Sequence, residues 1–352
     1  MRYSVDMVAR TARGFAIASL LALTFAGAKT SPPAGLLAAS EGESVVIVAP
    51  ATGETRAIPA GPVAWLFPAP GGTLFAPDLV HGTTTVIDMP TQTVRESLDG
   101  ITMPHFGQSP DRYVVVSKQL LVVSYPDRAL MNRFEIAFES PWQVEVAAGN
   151  TVLLVLEREP EGGRGASLVA VNLSEGRLVY RLPLAGDVRR FALSPQFGVL
   201  AFADAGGRIV FAEPGTLAPR AEFETAGRAM DVVFTGDGTL LAVAVGTADG
   251  AGELLIWKLK LLKDGTFERK KQWQVPLQGT PQRLVNSPDR RHVAVTVEDG
   301  LLHIVDVVER TLTRTVELRG APRDVVWVDP FAPGPMLPEW TDEAPPTLPI
   351  GG

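Results

Sequence analysis

Short apolar segments separated by turn residues recur from about residue 35 to residue 330. Segments 240–245 and 292–297 are dominated by Val, Leu and Ala, which is typical of strands buried on both faces by neighbouring layers. The chain beyond residue 35 lacks the 3.6-residue periodicity of amphipathic helices. The pattern therefore predicts an all-β protein.

The apolar segments group into a four-stranded unit that repeats seven times, beginning near residues 62, 102, 140, 187, 228, 280 and 321. The first two strands of each unit are separated by a turn in which Pro sets φ or Asp, Asn or Gly closes the bend. These turns are Ala69-Pro70-Gly71-Gly72, Ser109-Pro110-Asp111-Arg112, Ala148-Gly149-Asn150, Ser194-Pro195-Gln196, Gly236-Asp237-Gly238, Ser287-Pro288-Asp289 and Asp329-Pro330. Four strands in a unit of about 40 residues are typical of one β-propeller blade.

The seventh unit is divided between the two ends of the chain. Its first strand, residues 324–328, is followed by a turn and no further strand, whereas residues 35–40, 44–48 and 55–58 supply three strands without a first one. Pairing the two ends completes the unit and removes the open sheet edges that a linear array would leave. The sequence therefore predicts a seven-bladed β-propeller of antiparallel blades, closed by one C-terminal and three N-terminal strands.

Each first strand carries an apolar residue at the same offset from its turn: Leu66, Phe106, Val144, Phe191, Val232, Leu284 and Val325. First strands line the central channel of a propeller, so the residues just before these positions should form a ring in the channel. That predicted ring is Trp65, His105, Gln143, Arg190, Asp231, Arg283 and Asp324. Arg189 and Arg323 stand one residue earlier and are expected nearer the channel mouth.

The last four ring residues alternate in charge on consecutive blades. A polar channel of this kind could bind an ionic ligand or a loop of a partner protein. Alternatively, the four side chains neutralise one another in pairs, because an unpaired charge in a narrow channel carries a large desolvation cost. Two long connections, residues 157–167 and 246–253, fall on the face that carries the links between blades and are a second candidate contact region.

Composition excludes several classes of function. The 32 Lys+Arg against 39 Asp+Glu give a net charge of −7, which argues against a general nucleic-acid binder. The chain has no cysteine, which excludes disulfides, thiolate metal sites and cysteine nucleophiles. The four histidines have no metal-ligand spacing, and the common hydrolase, metalloprotease and phosphate-loop motifs are absent from the sequence. We therefore predict no catalytic residue, no metal site and no bound cofactor.

The two ends of the chain predict export and a tail. Three arginines precede residue 14, residues 14–28 are uncharged, and Ala26-Gly27-Ala28 is a small-residue cleavage site. This pattern predicts a signal peptide over residues 1–28, no stable membrane anchor after cleavage, and a periplasmic or secreted protein. Residues 29–330 are the predicted propeller domain, and the proline-rich residues 331–352 are expected to form a disordered tail.

The Ser-Pro-Asp turns and the Val86-Ile87-Asp88 strand followed by Thr91 resemble bacterial YVTN-type and WD-repeat propellers over residues 35–330. The sequence departs from true WD repeats in two ways. No Gly-His dipeptide opens a unit, and Trp occupies the third-strand position only at Trp257, where Lys258 follows instead of Asp. The resemblance therefore implies the fold but no activity.

Three functions are compatible with such a fold. The first is a non-catalytic exported platform that binds another protein. The second is a subunit of a periplasmic oxidoreductase, similar to the propeller subunits of amine dehydrogenases, whose redox cofactor belongs to partner chains. The third is a lactonase or other hydrolase that uses the channel mouth, which rests on likeness of fold alone.

Overall fold

The computed structural model describes residues 35–107, 110–116, 119–147, 151–158, 165–194 and 196–329. In this part of the chain, 28 β-strands form seven four-stranded antiparallel sheets, and no helix occurs. The all-β class and the seven blades predicted from the sequence are confirmed. The predicted signal peptide and tail lie outside the described residues.

Six blades are formed by consecutive strands. Blade 1 comprises β4 (Phe67–Ala69), β5 (Thr73–Asp78), β6 (Thr83–Asp88) and β7 (Thr93–Asp99). Blade 2 comprises β8 (Pro104–Phe106), β9 (Arg112–Val116), β10 (Leu120–Ser124) and β11 (Leu130–Phe134). Blade 3 comprises β12 (Pro141–Ala147), β13 (Val152–Arg158), β14 (Ala166–Asn172) and β15 (Arg177–Leu184).

Blades 4 to 6 repeat the same order. Blade 4 comprises β16 (Val188–Leu193), β17 (Leu200–Asp204), β18 (Arg208–Ala212) and β19 (Pro219–Glu224). Blade 5 comprises β20 (Arg228–Thr235), β21 (Leu240–Gly246), β22 (Gly252–Leu261) and β23 (Phe267–Leu277). Blade 6 comprises β24 (Pro281–Asn286), β25 (His292–Val297), β26 (Leu301–Asp306) and β27 (Thr311–Glu317).

Blade 7 joins the two ends of the chain, as predicted. It comprises β28 (Val325–Val328), β1 (Leu36–Glu41), β2 (Ser44–Val48) and β3 (Thr55–Pro59). β28 pairs with β1 in antiparallel register, with Leu37 opposite Trp327. Beside this pairing, the Asp324 backbone N–H donates to Ser40 Oγ at 2.8 Å, and the Ser40 N–H donates to the Asp324 carbonyl at 3.0 Å. The ring is therefore closed by backbone pairing between distant parts of the sequence.

Seven clusters of buried apolar side chains fill the spaces between adjacent blades in the described part of the chain. Each cluster joins strands of two neighbouring sheets. In blade 7, for example, Leu37 packs towards blade 6 and Ala38 towards blade 1. Successive side chains of a strand point to opposite faces of its sheet, so every central strand contributes to two clusters. This explains why the second strands of the sequence are almost continuously apolar.

Antiparallel order gives the ring two different faces. The link face carries the connections from each fourth strand to the next first strand and the loops between second and third strands. The turn face carries the turns after first and third strands. In blades 3 to 6 the pairing of the first strand shifts by one residue, a β-bulge at Trp142, Arg189, Met230 and Gln282. A bulge changes the direction of the side chains around it. In these four blades the bulged residue directly precedes the predicted ring residue.

Candidate functional site

The structure brings the seven predicted ring residues together along the channel. Five of them lie in first strands, while Trp65 and Asp324 stand just before β4 and β28. Six line one cavity of about 310 Å³ at the link-face end: Trp65, His105, Gln143, Arg190, Arg283 and Asp324. Asp231 lines a second cavity of about 280 Å³ at the turn-face end, together with Gln143 and Arg283. Neither cavity is lined by Arg189 or Arg323.

Alternate ring residues hold the next blade by its backbone. Asp231 Oδ2 of blade 5 accepts a hydrogen bond of 2.9 Å from the Leu284 N–H of blade 6. Two further bonds follow the same pattern, from the Phe191 N–H to Gln143 Oε1 at 3.0 Å and from the Leu66 N–H to Asp324 Oδ2 at 3.0 Å. Each first strand is the edge of its sheet, so some of its N–H groups have no strand partner. The three side chains accept hydrogen bonds from such N–H groups, which would otherwise be buried unpaired.

Arg283 is bound by the carboxylates of both neighbouring blades. Its Nη1 lies 3.1 Å from Asp231 Oδ2, and its Nε lies 3.3 Å from Asp324 Oδ1. Burial alone would lower the pKa of Arg283, but the two adjacent carboxylates outweigh it and raise that pKa above its ordinary value. The acid–arginine–acid arrangement spans blades 5, 6 and 7.

Arg190 has no such partner, which corrects the prediction that the four charges neutralise one another in pairs. No carboxylate lies within ion-pair distance of its guanidinium in the described part of the chain. Asp231 Oδ2 bonds to Arg283 and Leu284 of blade 6 instead of pairing with Arg190 of blade 4. Burial and the positive charge of Arg283 lower the pKa of Arg190 to about 10, against the attraction of Asp231 and Asp324, so the side chain stays cationic at neutral pH.

Trp142 forms an exposed aromatic platform at the link-face end of the cavity. The guanidinium carbons of Arg158 and Arg190 each lie 5.2 Å from its ring centroid, within cation–π range. Its indole N–H donates to the Arg189 carbonyl at 3.2 Å, yet 41% of the residue remains accessible to solvent. Trp142 was not among the residues predicted from the sequence. It directly precedes Gln143, as Arg189 directly precedes Arg190, and this shared position could have indicated it.

The carboxylate of Asp187 forms ion pairs with two arginines near Trp142, namely Arg158 and Arg189. Asp187 Oδ1 lies 3.1 Å from Arg158 Nη2, and Asp187 Oδ2 lies 3.0 Å from Arg189 Nη2. Burial and the neighbouring Arg189 lower the pKa of Arg158, against the attraction of Asp187. Arg189 therefore contributes to the mouth through its carbonyl and this ion pair, whereas Arg323 is exposed and its backbone N–H bonds to Ser40.

The opposite wall of the cavity is apolar and uncharged. His105 packs edge-on against Phe67, with ring centroids 5.1 Å apart. Burial lowers the pKa of His105 to about 4, so the imidazole is neutral at physiological pH. Together with Trp65 and Pro104, these residues face the arginine side of the cavity. The site thus combines a cationic wall with an aromatic one.

The turn-face cavity is lined by a half-buried carboxyl group, Glu145, which follows Gln143 on the same side of β12. Burial raises the pKa of Glu145 to about 7, and the charge of Arg290 opposes that shift. Asn286 donates to the Phe234 carbonyl at 2.7 Å, but its own side-chain oxygen is buried without a partner in the described residues. This end of the channel is therefore sensitive to protonation.

We predict that Glu145→Gln removes a pH-dependent penalty on stability. A carboxyl whose folded pKa is raised destabilises the fold only when ionised, so the penalty is absent below about pH 4.5, grows with rising pH, and is complete above about pH 7. Relative to wild type, the variant should gain about 1–3 kcal/mol of unfolding free energy at pH 8 and almost nothing at pH 4.5. Urea unfolding across this range measures it. Glu317→Gln, on an exposed strand, is the control, and an equal gain at both pH values contradicts the prediction.

The described residues contain no group of three or more His, Asp or Glu side chains placed to hold a metal ion.

His292 is fully buried, and its ring nitrogens lie 3.7 Å and 3.9 Å from the nearest carboxylate oxygens, of Asp306 and Asp289. Ser287 accepts a hydrogen bond from the backbone of His292 rather than meeting its ring. This Ser–His–Asp group lies in the wall of blade 6, closed to a substrate. Over the same part of the chain, no helix is long and apolar enough to cross a membrane.

Comparisons with known proteins support the fold. No protein-family model matches the chain, and no curated protein matches it in sequence. A solved structure of Kuenenia stuttgartiensis hydrazine synthase is similar, with a TM-score of 0.60 and 15% identity, over 77% of this chain and 90% of that chain. At this identity the likeness shows the propeller fold alone. The finer resemblance to YVTN-type and WD-repeat proteins stays a prediction.

Proposed function

We propose that this protein is an exported, non-catalytic β-propeller that binds another protein through the link face around the channel mouth. The observation that carries the proposal is Trp142, which is exposed yet held by a hydrogen bond and two flanking guanidiniums. Trp and Arg are the residues that most often dominate the binding energy of protein interfaces. A side chain fixed before binding also loses little conformational entropy when a partner arrives.

Further apolar side chains are exposed on the same face. Leu79 and Val80 lie in the loop between β5 and β6, and Ile101 lies in the link between β7 and β8. A hydrogen bond of 2.9 Å from the Gly100 N–H to the Gly82 carbonyl holds this loop and link together. A face that carries both exposed apolar groups and arginines suits a partner that presents apolar and acidic side chains.

The test is capture of partners from extracts of the producing organism, with the full chain as bait. Trp142→Ala should weaken binding of the captured protein about 30-fold, because an interface tryptophan typically contributes about 2 kcal/mol or more. The matched control is Leu178→Ala, in the same blade and 42% exposed, but on the outer strand β15. A partner lost with Trp142→Ala and retained with the control supports the proposal. Equal retention by both variants, or capture of nothing, contradicts it.

The second candidate is a subunit of a periplasmic oxidoreductase whose cofactor is carried by partner chains. The similar solved structure belongs to a protein named hydrazine synthase. At 15% identity this likeness supports a shared fold and not a shared activity. The two candidates differ in a direct observable. A captured complex with haem or quinone absorbance favours the second, and a colourless complex excludes it.

A further inference from the structure

We infer that the link-face cavity binds an organic monocarboxylate, whose carboxylate pairs with Arg190 and whose apolar body lies against Trp65, Phe67 and Trp142. This site goes beyond the protein-binding proposal. It is formed by the propeller alone, so it can be tested on the isolated chain with small probes.

The carboxylates around the channel mouth are shared unevenly among the arginines. Asp187 pairs with Arg158 and Arg189, whereas Asp231 and Asp324 both pair with Arg283. Arg190 has no carboxylate at ion-pair distance among the described residues, and only the more distant charges of Asp231 and Asp324 attract it. Arg190 is therefore the guanidinium with which an incoming anion can pair.

Arg190 is half-buried in the cavity wall. A guanidinium in such a place without a carboxylate partner is unfavourable, because the protein does not fully replace the hydration that it loses. The lowered pKa of Arg190 expresses this cost. The face of Trp142 at 5.2 Å compensates it only in part, since a ring quadrupole attracts a cation less than a carboxylate does. An anion that enters the cavity would complete the pairing.

The guanidinium of Arg190 favours a carboxylate over other anions. A single guanidinium without an ion pair matches one monoanionic group, and its fork fits the two oxygens of a carboxylate. A phosphate monoester carries about −1.5 to −2 at neutral pH. Its surplus negative charge would face Asp324, which lines the same cavity. A carboxylate is therefore the anion that the site favours.

The rest of the cavity lining favours an apolar ligand body. The cavity of about 310 Å³ is at the lower end of the range for small-molecule sites. Neutral His105 adds no charge, and Gln143 uses both ends of its amide on the Phe191 backbone. Apart from Arg190 and the Arg283–Asp324 ion pair, the remaining lining is apolar, which suits an aromatic or branched apolar body.

The test uses the isolated full chain and defined probes. Calorimetric titration with 3-phenylpropionate should show binding, and its uncharged analogue 3-phenylpropionamide should bind at least about tenfold more weakly. Arg190→Gln should weaken binding of the acid about 10- to 100-fold, since a charge-assisted hydrogen bond is lost. Arg220→Gln, which removes a half-exposed arginine paired with Glu213 on the outer edge of blade 4, is the matched control and should not change the affinity.

Two peptides separate the sources of the carboxylate. Gly-Gly-Phe with a free C-terminus represents a protein terminus, and its C-terminal amide is the control. Binding of the small acid alone identifies a free metabolite, and binding of the free peptide identifies a chain terminus; either supports the site. The inference is overturned if neither acid binds, if acid and amide bind equally, or if Arg190→Gln binds as wild type does. If Arg190→Gln does not fold, the comparison of acid and amide binding to the wild-type protein still tests the inference.

Discussion

Replacing Leu37 with aspartate is expected to lower the free energy of unfolding by more than about 4 kcal/mol, a large part of the stability of an ordinary protein. Leu37 is fully buried in β1, opposite Trp327 of β28, in the cluster that joins blades 6 and 7. A carboxylate there would be buried without a partner at the one point where the two ends of the chain hold the ring closed. Urea unfolding followed by circular dichroism measures the loss.

The control for this change is Arg56→Asp, which introduces the same carboxylate into the exposed strand β3 of the same blade. That variant should unfold within about 0.5 kcal/mol of wild type, as surface substitutions usually do. Limited proteolysis adds a second readout, because an opened ring should be cut first within residues 35–59. Equal stability of the two variants, or first cleavage in blades 3 to 5, would show that the joined blade does not limit the stability of the ring.

The second large effect is expected for Asp324→Ala, at about 3–5 kcal/mol. Asp324 accepts hydrogen bonds from the Leu66 N–H of blade 1 and from Arg283 of blade 6. Its loss leaves a buried N–H without an acceptor and gives Arg283 one carboxylate instead of two. Asp324→Asn keeps an oxygen for Leu66 but not the charge, so its cost should be smaller.

Chemical denaturation of both variants measures this pair of effects. Asp99→Ala, on the exposed strand β7, removes a carboxylate that has no structural partner in the described residues and serves as the control. If Asp324→Ala costs no more than the control, the ring of charges does not hold the blades together. If the Asn variant costs as much as the Ala variant, the charge on Asp324 matters more than the hydrogen bond to Leu66.

The fold could be predicted almost completely because its signals are local and repeated. Each turn carries Pro, Gly or Asp at positions that require their backbone preferences, and the strands between turns have a constant apolar offset. The join in blade 7 was also predictable, since one strand at one end and three at the other add up to a single unit. Repetition alone predicts a common depth for the ring residues, whereas the structure places six of them at the link-face cavity and Asp231 at the turn-face cavity.

The pairing of the charged side chains could not be predicted in the same way. The sequence shows Arg190, Asp231, Arg283 and Asp324 alternating on consecutive blades, which suggests equal sharing. In the structure, both acids accept hydrogen bonds from the backbone of the blade that follows, which fixes their direction around the ring. As a result, Arg283 forms ion pairs with both carboxylates, whereas Arg190 lies against the aromatic ring of Trp142.

The sequence by itself therefore determined the number of blades and the way the ring closes, because both depend on spacing along the chain. Only the tertiary structure decided which of the four alternating charges has no ion pair among the described residues and that Trp142 stands exposed beside it. Those features depend on one-residue bulges in the first strands and on contacts between neighbouring blades. A bulge changes the direction of a side chain without changing the apolar pattern that predicts the strand.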